Sequence, residues 1–211
     1  MSKVYENYLS VKNDIPKNVT LTIVTKKHTM DVISELIEKC HTNFAENYVQ
    51  EAQEKWSDVL AVYPDIKLKM IGRLQSNKIH DALSTFHEIH SIHSLEIANK
   101  IHNAISNNVR TKVFYVQVNI GNEEQKSGIS PQNIIQFLKE CPLEITGLMC
   151  IPPSGWEPSP YFLLMQNIKK NIQNQLGKTL KLSMGMSSDY QKAIKLGSDD
   201  IRIGSAILGE R

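Results

Sequence analysis

Three sets of residues in this chain have the types and spacing to do chemistry together. The first is Lys26, which follows the run Leu21-Thr22-Ile23-Val24-Thr25. A lysine at the rim of a dry pocket can lose its proton and form an imine with an aldehyde. The competing fate is a solvated strand-end lysine that snorkels. The second set is a pair of small-residue clusters, Ser183-Met184-Gly185-Met186-Ser187-Ser188 and Gly204-Ser205. Glycine admits close backbone approach and serine adds a hydroxyl, so both clusters suit a phosphate cradle as well as a plain turn. The third is Arg202, whose guanidinium donates hydrogen bonds and accepts no proton. It can face an acceptor on a ligand or pair with Asp199 or Asp200. Lysine imine, phosphate cradle and ring-facing arginine together describe one cofactor, pyridoxal 5′-phosphate.

These residues are far apart in sequence, so the elements between them must bring them together. Eight apolar or β-branched runs, at 21–25, 43–46, 68–72, 88–92, 113–120, 145–151, 180–184 and 200–203, alternate with polar stretches. Those stretches, roughly 10 to 15 residues each, have the character of helices. Val4, Tyr8 and Val11 form one stripe of a preceding N-terminal helix. Thr29, and Ser130 before Pro131, are candidate helix starts. Eight βα units predict a closed α/β fold, a (β/α)8 TIM barrel. The competitor is an open doubly wound sheet, which uses the same alternation with fewer strands, but no Gly-x-Gly-x-x-Gly follows the first strand. Pro152, Pro153, Gly155 and Pro158 mark one long loop, and no linker divides the chain, so residues 1–211 are expected to form a single domain.

In such a barrel functional groups sit at the C-terminal strand ends, and phosphate is held by the loops after strands seven and eight. Closure makes strand one the neighbour of strand eight, which sets Lys26 beside the cradle. Strand alternation allows Thr22, Val24 and Lys26 to share the interior face.

Composition narrows the class. Lys and Arg number 24 against 22 Asp and Glu, a net charge of +2, which is too small for a dedicated nucleic-acid or membrane-surface binder. Hydrophobic residues make up 41%, which excludes extensive disorder. No run approaches the about 18 apolar residues of a membrane span. The opening residues lack an apolar signal core, and Cys40, Cys141 and Cys150 are widely spaced and odd in number. A cytoplasmic protein with reduced thiols is expected, with a monomer as the default. His87, His90 and His93 recur every third residue, yet strand geometry puts His90 on the opposite face, so solvated or satisfied histidines are expected and no metal. Trp56 and Trp156 are expected to be packing residues, and Asn77-Lys78 and Lys126-Ser127-Gly128 either border the pocket or turn loops.

Taken in order, several motifs carry a resemblance. They are Val24-Thr25-Lys26, Glu46-Asn47-Tyr48-Val49-Gln50-Glu51, Ile71-Gly72-Arg73-Leu74-Gln75-Ser76-Asn77-Lys78, Val118-Asn119-Ile120, Gln125-Lys126-Ser127-Gly128 and Gly147-Leu148-Met149. The most specific are Leu182-Ser183-Met184-Gly185-Met186-Ser187 and the segment 201–209 with its Arg202-Ile203-Gly204-Ser205 core. Nearly end to end, the chain resembles the YggS/PLPBP family of pyridoxal phosphate homeostasis proteins, also called alanine racemase N-terminal-domain-like. The resemblance implies a (β/α)8 barrel holding pyridoxal phosphate as an aldimine of Lys26, with Arg202 at the pyridine nitrogen. It assigns the phosphate to Gly204-Ser205 and the segment 183–187 (Ser183, Met184, Gly185, Ser187), and it places Asn47 in the cofactor's surroundings. It also implies a role in balancing cofactor and amino/keto-acid pools without robust catalysis, with PLP-dependent apo-enzymes as candidate recipients. Three positions depart from the family pattern: Lys69 where His is usual, Ala45 where Gly is usual, and His28 where a second Lys is usual.

Two other functions use the same residues. One is an amino-acid racemase or decarboxylase on the same cofactor, which would need acid/base groups on both faces of the reacting carbon. Related full-length racemases draw on a C-terminal β-domain for this, and the chain is expected to lack one. The other is a Schiff-base aldolase acting on a sugar phosphate, in which Lys26 would bind substrate.

Overall fold

The computed structural model describes residues 2–107 and 109–210. Eight strands, β1 (Thr20–Val24), β2 (Asn43–Glu46), β3 (Lys67–Met70), β4 (Glu88–Ile92), β5 (Val113–Val118), β6 (Gly147–Cys150), β7 (Lys181–Ser183) and β8 (Asp200–Ile203), pair in chain order into a closed barrel. Every pairing is parallel, and closure is made by β1 against β8, with Thr22 opposite Arg202. The helices α1 (Lys3–Asn13), α2 (Met30–Glu38), α3 (Val49–Val62), α4 (Ile79–Thr85), α5 (Leu95–Ala104), α6 (Ile134–Glu140), α7 (Ser159–Leu176), α8 (Tyr190–Lys195) and α9 (Ser205–Leu208) follow the expected alternation. The chain therefore has the TIM-barrel fold. No helix among the described residues is long and apolar enough to cross a membrane.

Helix α1 precedes the barrel and buries Tyr8 and Val11, as its stripe predicts. Ser2 caps it by accepting from the Tyr5 N–H at 3.1 Å, and the Asn7 amide donates to the Ile207 carbonyl at 3.2 Å, tying α1 to α9. Thr29 and Ser130 have the extended backbone of a helix cap, but neither side chain makes the capping bond. Pro131 instead opens a 3-10 turn that leads into α6.

Register decides which residues face inward, because directly paired residues point to the same side of a sheet. Leu21, Ile23, Phe44, Leu68, Met70, Ile89, Ile201 and Ile203 point outward and are buried under the helices, forming the main core. The inward set is largely polar, with Thr22, Lys69, Glu88, His90, Tyr115, Ser183, Asp200 and Arg202, and Val24, Ala45 and Met149 among them. Barrel interiors are more often filled by branched apolar side chains.

Trp56 is fully buried against Phe44, as expected of a packing residue. Trp156 is not one; it lies 72% exposed in the loop after β6, where a proline-rich segment leaves the sheet before any helix can cover it. Cys40, Cys141 and Cys150 are free thiols, and burial pushes Cys150 up to about 12, with Arg202 opposing.

Candidate functional site

A cavity of about 360 Å³ opens at the C-terminal ends of the strands. Val24 and Lys26 from the end of β1, Asn47 after β2, Ile71 after β3, Ile151 after β6, Ser187 after β7, and Arg202, Gly204 and Ser205 from β8 and its loop line it. That volume lies at the small end of the range for small-molecule sites. Lys26 lies two residues beyond Val24, in the turn after β1, and lines the same cavity. Its neighbour Thr25 is buried beneath α3, where its hydroxyl donates to Glu46 Oε1 at 2.7 Å.

The loops after β7 and β8 close on each other. Ser187 Oγ accepts from the backbone N–H groups of Gly204 and Ala206, both at 3.3 Å. These are donors that a phosphate oxygen could also use. A Cβ on Gly204 would stand 3.4 Å from the Val24 carbonyl oxygen, on the wall that Val24 and Gly204 share. Gly185 adopts φ +99°, and a Cβ there would stand 2.6 Å from the Ala193 Cβ, so glycine is required on both counts.

Of the nine residues singled out from sequence, Lys26, Asn47, Ser187, Arg202, Gly204 and Ser205 come together on this one cavity. Ser183, Met184 and Gly185 stand behind the lining. Ser183 lies under Arg202, Met184 is buried with its N–H on the Asp200 carbonyl, and Gly185 accepts the Arg202 N–H at 2.9 Å. Asn47 Oδ1 is a buried polar atom without a hydrogen-bond partner.

Arg202 is buried and held on two sides. Nη1 donates to Ser183 Oγ and Nη2 to the Cys150 carbonyl, both at 2.8 Å. Burial lowers its pKa and Asp200 opposes that, leaving a guanidinium that stays charged. It is not paired directly with Asp200. Ser183 relays between them, donating to Asp200 Oδ2 at 2.8 Å, while Asp199 bonds Lys169 at 3.1 Å.

Below Arg202 lies a charged cluster that sequence reasoning missed. Lys69 Nζ is 3.0 Å from Asp200 Oδ1 and 3.8 Å from Glu88 Oε2, and the Thr22 hydroxyl also donates to Asp200. His90 Nε2 lies 2.7 Å from Glu88 and its ring stacks on Tyr115 with centroids 3.9 Å apart. Burial lowers the His90 pKa, and its bond to Glu88 opposes that. For Asp200, burial raises the pKa, but Lys69, His90 and the Thr22 hydroxyl outweigh it and hold the carboxyl below its usual range. The one sequence signal was Lys69 as a departure from the family pattern.

His87 and His93 take no part in that cluster: His87 accepts the Leu68 N–H and His93 bonds the Ser91 carbonyl. Among the described residues no group of His, Cys, Asp and Glu is placed to hold a metal ion. A wider groove of about 1130 Å³ runs over the tops of β2 to β4, and Asn47 borders both it and the smaller cavity. Lys78 lies on this groove, whereas Lys126 bonds the Pro152 carbonyl at 3.2 Å and pins the loop after β5.

Comparison with known proteins places this geometry. The family model described as alanine racemase, N-terminal domain, matches residues 1–211. A pyridoxal phosphate homeostasis protein of Schizosaccharomyces pombe is 34% identical over 92% of this chain and 85% of its own. A protein of the same name from Homo sapiens is 34% identical over 90% and 76%. The structure of PipY from Synechococcus elongatus with PLP bound superposes with a TM-score of 0.88 at 30% identity, covering 98% of this chain and all of that one (100%).

Proposed function

The chain belongs to the alanine racemase N-terminal-domain family and, within it, to the pyridoxal phosphate homeostasis proteins, and on that premise we propose that it binds pyridoxal 5′-phosphate reversibly and buffers its supply. The observation that carries this is the convergence of a lysine, a buried arginine and two small-residue loops on one cavity. The groups fit the cofactor one by one. Gly204, Ser205 and Ser187 take the phosphate, Arg202 donates to the ring nitrogen, and Asn47 borders the ring. Lys26, whose amine can react with an aldehyde, would hold the cofactor at its aldehyde carbon. Bound there, the cofactor supplies a reactive aldehyde carbon in masked form. An arginine on the ring nitrogen keeps that nitrogen unprotonated, which disfavours carbanion chemistry and favours holding over turnover.

The finer parts of the proposal are that the protein works as a cytoplasmic monomer and hands cofactor to PLP-dependent apo-enzymes. The visible absorption spectrum of the protein loaded with cofactor tests the core of it, followed by borohydride reduction and peptide mapping. A pyridoxyl group on Lys26 is expected. Its appearance on Lys27 with Lys26 bare, or a colourless protein indifferent to the cofactor, would overturn the assignment. Lys26→Ala is expected to abolish the colour.

A further inference from the structure

Behind the cavity, on the outer side of the barrel, a second charged group surrounds the peptide that carries Lys26. Lys55, from α3, has its side chain only 10% exposed. All three of its donors are spoken for: the Thr25 carbonyl oxygen at 2.8 Å, Glu46 Oε1 at 2.9 Å and Glu51 Oε1 at 2.9 Å. The Thr25 carbonyl belongs to the peptide bond into Lys26. Glu46 Oε1 also accepts from the Thr25 hydroxyl and from Trp56 Nε1 at 3.1 Å. On the far side of Lys26, Glu51 accepts the Lys27 N–H. Lys27 itself sits at φ +63°, a left-handed conformation that a lysine seldom adopts.

Residues 25 and 27 are thus both fastened to α3 and the end of β2, by a lysine and two carboxylates, with Lys26 between them. A left-handed residue persists only where its surroundings over-determine it. Within the turn the Thr25 carbonyl also accepts from the His28 N–H at 3.1 Å, so Lys55 adds a second, charged donor to it, while Glu51 takes the Lys27 N–H and bonds Lys55.

We propose that Lys55, with Glu46 and Glu51, is the positioning clamp that sets the direction in which Lys26 leaves β1, and so the reactivity of its amine toward an aldehyde. The proposal rests on Lys26 as the cofactor lysine, and it deepens that assignment by naming what orients it. Lys55 touches neither the cavity nor a ligand; its effect runs through the backbone of residues 25–27. Loss of the clamp lets that turn relax, which weakens imine formation and leaves the phosphate and ring contacts as they are.

Two probes separate those effects: pyridoxal 5′-phosphate, and pyridoxine 5′-phosphate, whose alcohol cannot form an imine. Dissociation constants for both are measured on the wild type, Lys26→Ala, Lys55→Met, Lys55→Arg and Glu51→Gln. The clamp predicts that Lys55→Met loses at least about tenfold of the preference for aldehyde over alcohol, roughly 1.4 kcal/mol, while its affinity for the alcohol stays within about twofold. Lys55→Arg restores part of the preference, and Glu51→Gln, the outer and safer substitution, reduces it by a few fold. Equal losses for both probes in Lys55→Met and Glu51→Gln would reduce Lys55 to a structural residue and overturn the proposal. So would a preference unchanged in both. A wild-type protein with no preference, or one retained in Lys26→Ala, refutes the Lys26 assignment itself and the clamp with it.

Discussion

Lys69→Met is the most searching test of the charged cluster beneath Arg202. Lys69 and Asp200 side chains are 4% and 5% exposed and 3.0 Å apart. Removing one partner of a buried pair costs about 3–5 kcal/mol, since the other charge stays buried without its partner. In a chain of this size that is roughly 6–20 °C in Tm. The pH dependence has a definite sign. In the wild type Asp200 titrates below its ordinary value, so its contribution is in place above the unfolded carboxyl range and is lost as pH falls through the folded pKa. Without Lys69, burial remains and the main offset is gone, so the folded pKa rises and a proton is taken up on folding. The gap between variant and wild type therefore narrows as pH falls from 7 to 5. Lys69→Met/Asp200→Asn is expected to recover most of the loss. Urea unfolding followed by circular dichroism at both pH values measures all of this. A variant within about 1 kcal/mol of wild type, or a loss undiminished in the double variant, would refute an energetic pairing of Lys69 with Asp200.

Three further outcomes are expected. Gly204→Val should lower pyridoxal 5′-phosphate affinity at least about tenfold (about 1.4 kcal/mol) in a spectral titration, because a branched side chain there obstructs the cavity. Ser183→Ala removes the hydroxyl between Arg202 and Asp200 and leaves a buried acceptor short of a donor; a loss of about 1–3 kcal/mol in unfolding free energy and a shift in the absorption of the bound cofactor are expected. Amino acids added to the loaded protein should exchange with Lys26 without sustained racemisation or decarboxylation, as chiral analysis of each enantiomer will show, since Arg202 is the residue proposed at the ring nitrogen.

The barrel was legible because its outward strand residues are a mainly apolar period-two set, such as Leu21 and Ile23, Phe114, Val116 and Val118, and Ile201 and Ile203, in eight short runs. Strand ends were read too long at 113–120 and 145–151, where the chain stays apolar after it leaves the ladder: the loop after β5 turns on Asn119, whose amide bonds the Glu123 carbonyl at 2.9 Å. Of the polar interior only Thr22 was legible. Lys69, Glu88 and Asp200 alternate with apolar residues as the solvent face of an open sheet would, and closure alone turns that face inward. Lys55 was hidden in another way. Its spacing from Glu51 matches an ordinary surface pair on a helix, and only the fold shows its ammonium buried against the Thr25 carbonyl.

These two hidden groups share one strand. The pleat of β1 sends Thr22 inward to Asp200 at 2.5 Å and, one residue past the strand, Thr25 outward to Glu46. Lys26 is the first residue beyond both anchors, so its backbone is fixed from the interior of the barrel and from the helix layer at once. A flexible four-carbon side chain then starts from a fixed root and needs to search only the cavity in front of it. Arg202 is fixed in the same manner, by Cys150 from β6 and Ser183 from β7. The groups proposed to meet the cofactor at its aldehyde and at its ring nitrogen are thus oriented before any ligand arrives, and little ordering cost remains to be met by binding. Holding the cofactor through few contacts in a small cavity is what the proposed buffering of its supply calls for.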